Sequence, residues 1–253
     1  MATLFNQFHS GDSSFTLENL TKRARLTPSA QSHLVQVYTW LAFATGAFAA
    51  GSYAFLTNYL RLSSTLSLLG SAGCMSYLMF TNPSVARGDL VRKVVLLGFS
   101  FLQGNGLGPL VVMSFYTNPR ALFLASLATT AIFASFSLSA LFTRSRSALY
   151  LGGLLASAVT VLGLVQLVNF WIIGSRTLFT AELVLGLVVF SLYIIFDTQA
   201  ILVRVDLGSR DVVGHALTLF VDLAAVFVRT LILLEKFQHN SCHDRRRRRT
   251  REN

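Results

Sequence analysis

Two carboxylates stand where an apolar chain has no ordinary use for them. Asp197 lies inside SLYIIFDTQAILV (residues 191–203), and Asp222 inside LTLFVDLAAVFV (217–228). On a helix turning 100° per residue, Glu182, Tyr193, Asp197 and Arg204 fall on one stripe. In the next apolar run Asp211, His215, Thr218, Asp222 and Arg229 follow steps of 4, 3, 4 and 7 and form a second stripe. Aiming a carboxylate at hydrocarbon costs about 2.5 kcal/mol or more at mid-depth, so the stripes are expected to face each other or a shared cavity. Counted from the turn near Leu207, the aspartates stand roughly 15 and 22 Å along their helices, close enough in depth to meet. Two carboxylates meeting in a low dielectric cannot both ionise cheaply and are expected to share one proton. With that proton they latch the two helices. Both ionised, they repel and become hard oxygen ligands of the kind Ca²⁺ takes.

The pattern therefore points to a pH-sensitive gate on a cation path. Asp197 and Asp222 are the expected sensor, gate and transient Ca²⁺ ligands, and His215, Arg229, Arg204, Tyr193 and Glu182 the polar stripe that supports them. The plainer alternative is structural: Asp197 is satisfied by Arg204, Thr198 or freed backbone, and Asp222 is paired with Arg229.

The elements that must position these residues follow from composition. Of 253 residues 53% are hydrophobic and only 13% charged, and the mean hydropathy is +0.58. A soluble domain carries about 25% charged residues, so lipid is the solvent. Apolar segments fall near 34–57, 62–80, 94–115, 121–142, 148–170, 178–202 and 212–234, each near the roughly 20 residues a helix needs to cross a bilayer. The ~10-residue alternating segments of a β-barrel are absent from the sequence. The expected fold is an all-α polytopic membrane protein: an N-terminal tail (1–33), one seven-helix transmembrane domain (34–234) and a basic C-terminal tail (235–253). Gly108-Pro109, inside the third segment, predicts a hinge or local unwinding. LGGLLAS (151–157) predicts a close helix contact. The sequence offers no GxSxG elbow, HExxH metal motif or phosphate loop, and its two cysteines make no zinc site. Neither an enzyme nor a cofactor is expected, and the partners are membrane lipid and a cation rather than nucleic acid. The oligomeric state stays open.

Basic residues set the expected orientation. Ten lie in the N-terminal tail and the even-numbered loops (Lys22, Arg23, Arg25, Arg87, Arg92, Lys93, Arg144, Arg146, Arg204, Arg210), against three in the others (Arg61, Arg120, Arg176). That places the N-terminus in the cytosol. Seven more follow the last segment, five of them the run Arg245 to Arg249. Seven crossings put these on the far side, whereas six crossings and a re-entrant last segment keep them inside. Both topologies remain open.

FDTQAILV (196–203) followed by HALTLFVDLAAVFVRTLILL (215–234) resembles the C-terminal half of the Bax inhibitor-1 family, most nearly its plant members. Further matches are LTPSAQSHLVQVY (26–38), GLGPL (106–110), LFTRSRSALYLGGLLAS (141–157) and AELVLGLVVFSLYIIFDTQ (181–199), so the resemblance spans roughly residues 17 to 237. It implies an endoplasmic reticulum membrane protein that suppresses programmed cell death, with seven helices arranged around the last and a link to Ca²⁺ leak from the reticulum. Asp197 and Asp222 match a pair of aspartates that senses pH in a bacterial relative, and residues 235–253 match a tail through which plant members bind calmodulin. The chain departs from the family in three places. Val112 stands near a glutamate position, Val203-Arg204 replaces Glu-Lys, and the tail is rich in arginine rather than in lysine and glutamate. The rival reading is a non-conducting scaffold that binds cell-death regulators or lipid-modifying enzymes. A proton-coupled solute carrier is a third.

Overall fold

The computed structural model describes residues 28–81, 86–142 and 151–252, with side chains as far as Gln238. The basic residues at 22, 23, 25, 144 and 146 lie outside the described residues. Among those described there are eight helices and no strand: α1 Pro28–Leu56, α2 Ser64–Phe80, α3 Ala86–Gly106, α4 Gly108–Thr117, α5 Pro119–Phe142, α6 Leu151–Val168, α7 Arg176–Asp206 and α8 Val212–Glu252. A π-helical turn, Asn169–Ile173, extends α6.

All seven apolar segments of the sequence are helical, but they are not equal. Five stretches are long and apolar enough to cross a membrane: Ala30–Leu56, Pro119–Leu141, Gly152–Ile173, Arg176–Asp206 and Val212–Gln238. The third segment is broken at Leu107 into α3 and α4, which meet at 49°. Pro109, in the first turn of α4, has no N–H to carry the α3 ladder onward, so Gly108-Pro109 is where the chain bends. With 17 residues, α2 reaches only about 26 Å at 1.5 Å per residue, short of a ~30 Å hydrocarbon core. The last segment has no break. It is one helix of 41 residues, and it carries the basic tail away from the Gly208 turn. That tail, which has the charge pattern of a solvated coil, continues the helix to Glu252. At the other terminus α1 starts at Pro28 rather than near residue 34, because proline favours the first helical turn. His33 therefore belongs to a helix and not to the tail.

α8 is the centre of the bundle and packs against α1, α3, α5 and α7. Phe220 of α8 makes edge-to-face ring contacts with Phe48 of α1 (6.0 Å) and Phe99 of α3 (5.8 Å). α1 and α3 pack backbone to backbone: a Cβ on Gly51 would strike the Phe101 carbonyl, and one on Gly104 the Phe48 carbonyl. The outward faces are apolar, with Phe43, Leu69, Phe123, Leu154 and Leu185 all exposed, as a chain solvated by hydrocarbon requires.

The turn between α7 and α8 fixes the register of the two polar stripes. Gly208 takes the left-handed conformation (φ 92°), which only glycine adopts without strain. Asp211 then caps α8, accepting the Gly214 N–H at 2.9 Å.

Candidate functional site

The caps and the short turn align α7 and α8 so that their stripes meet over a cavity of about 440 Å³. Tyr193, Asp197 and Arg204 line it from α7, and Asp211, His215, Thr218 and Asp222 from the turn and α8. Asp197 and Asp222 face each other within hydrogen-bonding reach. Asp222 is buried, 4% exposed, and its Oδ2 has no protein hydrogen-bond partner. Two carboxyl groups that meet can hydrogen-bond to each other only when one of them carries a proton.

One pairing of the structural alternative is not made. Arg229 does not pair with Asp222; its guanidinium lies 4.3 Å from the centre of the Phe190 ring and donates to the Ala225 carbonyl at 3.1 Å. The Thr198 hydroxyl lies 3.5 Å from that of Ser137 on α5. Ser137 is in turn hydrogen-bonded to Tyr38 of α1. Arg204 stands at the exposed mouth of the cavity. Glu182 shares a helical stripe with Asp197 but not the cavity. It is buried toward the opposite end of the bundle, 6% exposed, with Oε2 unpaired.

Two residues outside the sequence-derived stripes hold the side chains at its mouth. His33 of α1 and His215 are both buried, with Nε2 and Nδ1 2.9 Å apart, so one ring N–H donates to the other ring nitrogen. Arg92 of α3 donates from both terminal nitrogens to Asp211, at 2.7 and 2.8 Å. Burial raises the Asp211 carboxyl, but the Arg92 and Gly214 hydrogen bonds and the Arg92 charge override that and hold it below its ordinary value. His33 was hidden by its polar surroundings, QSHL, and Arg92 reads in sequence as one more topogenic charge. The signal that marked the cluster was on α8, where Asp211 and His215 share a stripe four residues apart.

Among the described residues no three His, Cys, Asp or Glu side chains gather into a metal cluster.

Comparison with known proteins bears on this arrangement. The family model for the inhibitor of apoptosis-promoting Bax1 matches residues 30–239. Bax inhibitor 1 of Mus musculus is 39% identical over 88% of this chain and 93% of its own length. Bax inhibitor 1 of Arabidopsis thaliana is 35% identical over 89% and 90%, and that of Oryza sativa 33% over 91% of each. The match runs from α1 through the apolar stretch of α8 and takes in both aspartates and the clusters at their mouth. The chain is thus a multi-pass membrane protein that belongs to the Bax inhibitor-1 family.

Proposed function

We propose that this protein suppresses programmed cell death from the endoplasmic reticulum membrane by lowering luminal Ca²⁺ through a pH-gated leak, with Asp197 and Asp222 as sensor and gate. The observation that carries this reading is the carboxyl pair, closed on itself at the inner end of a cavity that opens at the Gly208 turn. With one proton between them the aspartates tie α7 to α8. Loss of that proton leaves two like charges in a low dielectric, which drive the helices apart and attract a divalent cation. Tyr193 and Arg204 of α7 and His215 of α8 border the same cavity and set the pH at which this happens. Conduction thus rises as pH rises. The names of the relatives support the cell-death role, and the helical continuation of α8 through residues 235–252 supports calmodulin as a partner of the tail, since calmodulin takes its targets as helices.

The test is Ca²⁺ flux from liposomes containing the purified full-length protein and a trapped indicator, measured across pH. The wild type should conduct more at higher pH, and Asp197→Asn and Asp222→Asn should each flatten that dependence. Absence of flux from the wild type at every pH would overturn the leak and return the scaffold reading.

A further inference from the structure

The cavity does not cross the bundle. From the Gly208 turn it passes Asp211, His215 and Tyr193 and stops at Phe190 on α7 and Asp222 on α8. What closes it is specific. Arg229 stands roughly 10 Å further along α8 than Asp222, at 1.5 Å per residue, and its guanidinium covers the inner-end ring, Phe190, at 4.3 Å. The guanidinium also lies against Gly186, where a Cβ would collide with Nε, so α7 carries its smallest residue where the arginine crosses. Past this seam are two buried oxygens without a hydrogen bond, Glu182 Oε2 and Thr230 Oγ1. An uncompensated carboxylate oxygen and an arginine held on an aromatic ring thus stand near one another on the far side of the aspartates. Buried polar atoms are normally hydrogen-bonded, so Glu182 Oε2 is an acceptor with a hydrogen bond still to make.

We propose that Arg229, stacked on Phe190, is a second closure of the cation path, an electrostatic barrier between the aspartate cavity and the far end, and that Glu182 takes the guanidinium when the path opens. This rests on the leak reading. A fixed positive charge in the path repels a divalent ion about twice as strongly as a monovalent one. Drawing the guanidinium onto Glu182 both neutralises the charge and uncovers Phe190. Two gates in series then result: the carboxyl pair, which answers pH, and the arginine, which answers ion charge.

The experiment is paired Ca²⁺ and K⁺ efflux from liposomes holding the full chain as wild type, Arg229→Gln, Arg229→Lys, Gly186→Ala or Glu182→Gln. A unit charge about 10 Å from a dication at an effective dielectric near 20 is enough for a tenfold or larger effect. Arg229→Gln should therefore raise Ca²⁺ efflux by about tenfold and raise the Ca²⁺/K⁺ ratio, and Arg229→Lys should restore the low ratio. Gly186→Ala, which displaces the side chain but keeps its charge, should raise efflux even if Arg229→Gln does not fold. Glu182→Gln should lower it. Wild-type flux with efflux and ion ratio unchanged in both Arg229→Gln and Gly186→Ala would overturn this closure and leave the leak standing. No flux from the wild type or from any variant overturns both.

Discussion

Replacing Asp211 by asparagine removes one charge and little else. Asparagine caps a helix as well as aspartate does, so the start of α8 is kept. What is lost is the partner of Arg92, whose side chain is 2% exposed and whose Nε already lacks a hydrogen bond. Its other contact is the Leu78 carbonyl at 3.4 Å. Breaking a buried ion pair from one side costs about 3–5 kcal/mol. The asparagine oxygen still accepts one bond from Arg92 and Asp211 is 23% exposed, so the lower end, about 3 kcal/mol, is expected. For a chain of this size that is a fall of roughly 6–12 °C in Tm, read as thermal unfolding in lipid nanodiscs. The pH dependence has a fixed sign. The folded Asp211 carboxyl titrates below its ordinary value of 3.8, so its contribution is complete above that value and is lost as pH falls through the folded one. Wild type and Asp211→Asn should therefore differ at neutral pH and converge below about pH 4. Removing the other charge as well while keeping the cap, Arg92→Met with Asp211→Asn, should recover most of the loss. A Tm within about 1 °C of wild type for Asp211→Asn at pH 7 would refute the view that this bridge joins α3 to α8.

Three other outcomes follow from the same geometry. Asp222→Asn should remove most of the pH response of Ca²⁺ efflux while the protein stays folded, as shown by an unchanged size-exclusion profile. His33→Phe leaves the buried His215 ring without its hydrogen-bond partner and should cost about 1–3 kcal/mol, seen as a lower Tm with α8 otherwise intact. Asn105 is fully buried, donates to the Leu60 carbonyl at 2.6 Å and accepts the Leu62 N–H at 3.2 Å. Asn105→Leu should therefore free the 57–63 connection, and hydrogen exchange there should accelerate while the α5 core stays protected.

The aspartate stripe could be read in the sequence because a helix makes polar spacing visible. Steps of 3, 4 and 7 survive in any apolar run, and lipid makes every exception to apolarity costly. The bend at Gly108-Pro109 was legible for a similarly local reason, the missing N–H. The partners supplied by other helices were not. Nothing in QSHL says that His33 meets His215 across 182 positions, and nothing near Arg92 says that it meets Asp211 rather than a lipid phosphate. Glu182 shows the limit from the other side. Its spacing from Asp197 is right for the stripe, yet the stripe is longer than the cavity, and an aromatic ring divides it. Helical periodicity reports which residues share a face but not where along that face an enclosed space ends.

The distribution of cations around α8 bears on whether the acidic pair could act through a proton, as proposed. Arg92 is committed to Asp211, Lys93 to Asp89 at 2.6 Å, Lys236 to Thr180 and the Arg176 carbonyl, and Arg229 to the Phe190 ring. Arg204 stays at the exposed mouth, seven residues from Asp197. Had a buried arginine reached Asp222, the site would be a permanent ion pair whose rupture costs several kcal/mol, and a change of pH near neutrality would leave it closed. Each of these cations is thus engaged elsewhere and Arg204 is left as the cation bordering the cavity, which is the condition the proposed proton gate requires. The same segregation places Arg229 roughly 10 Å further along α8 than the pair, where on the proposed reading its charge would meet a cation that had passed the aspartates. On the proposed reading such a path would open on deprotonation at one level and on pairing of Arg229 with Glu182 at the next, and neither step would require the bundle to break its aromatic core of Phe48, Phe99 and Phe220.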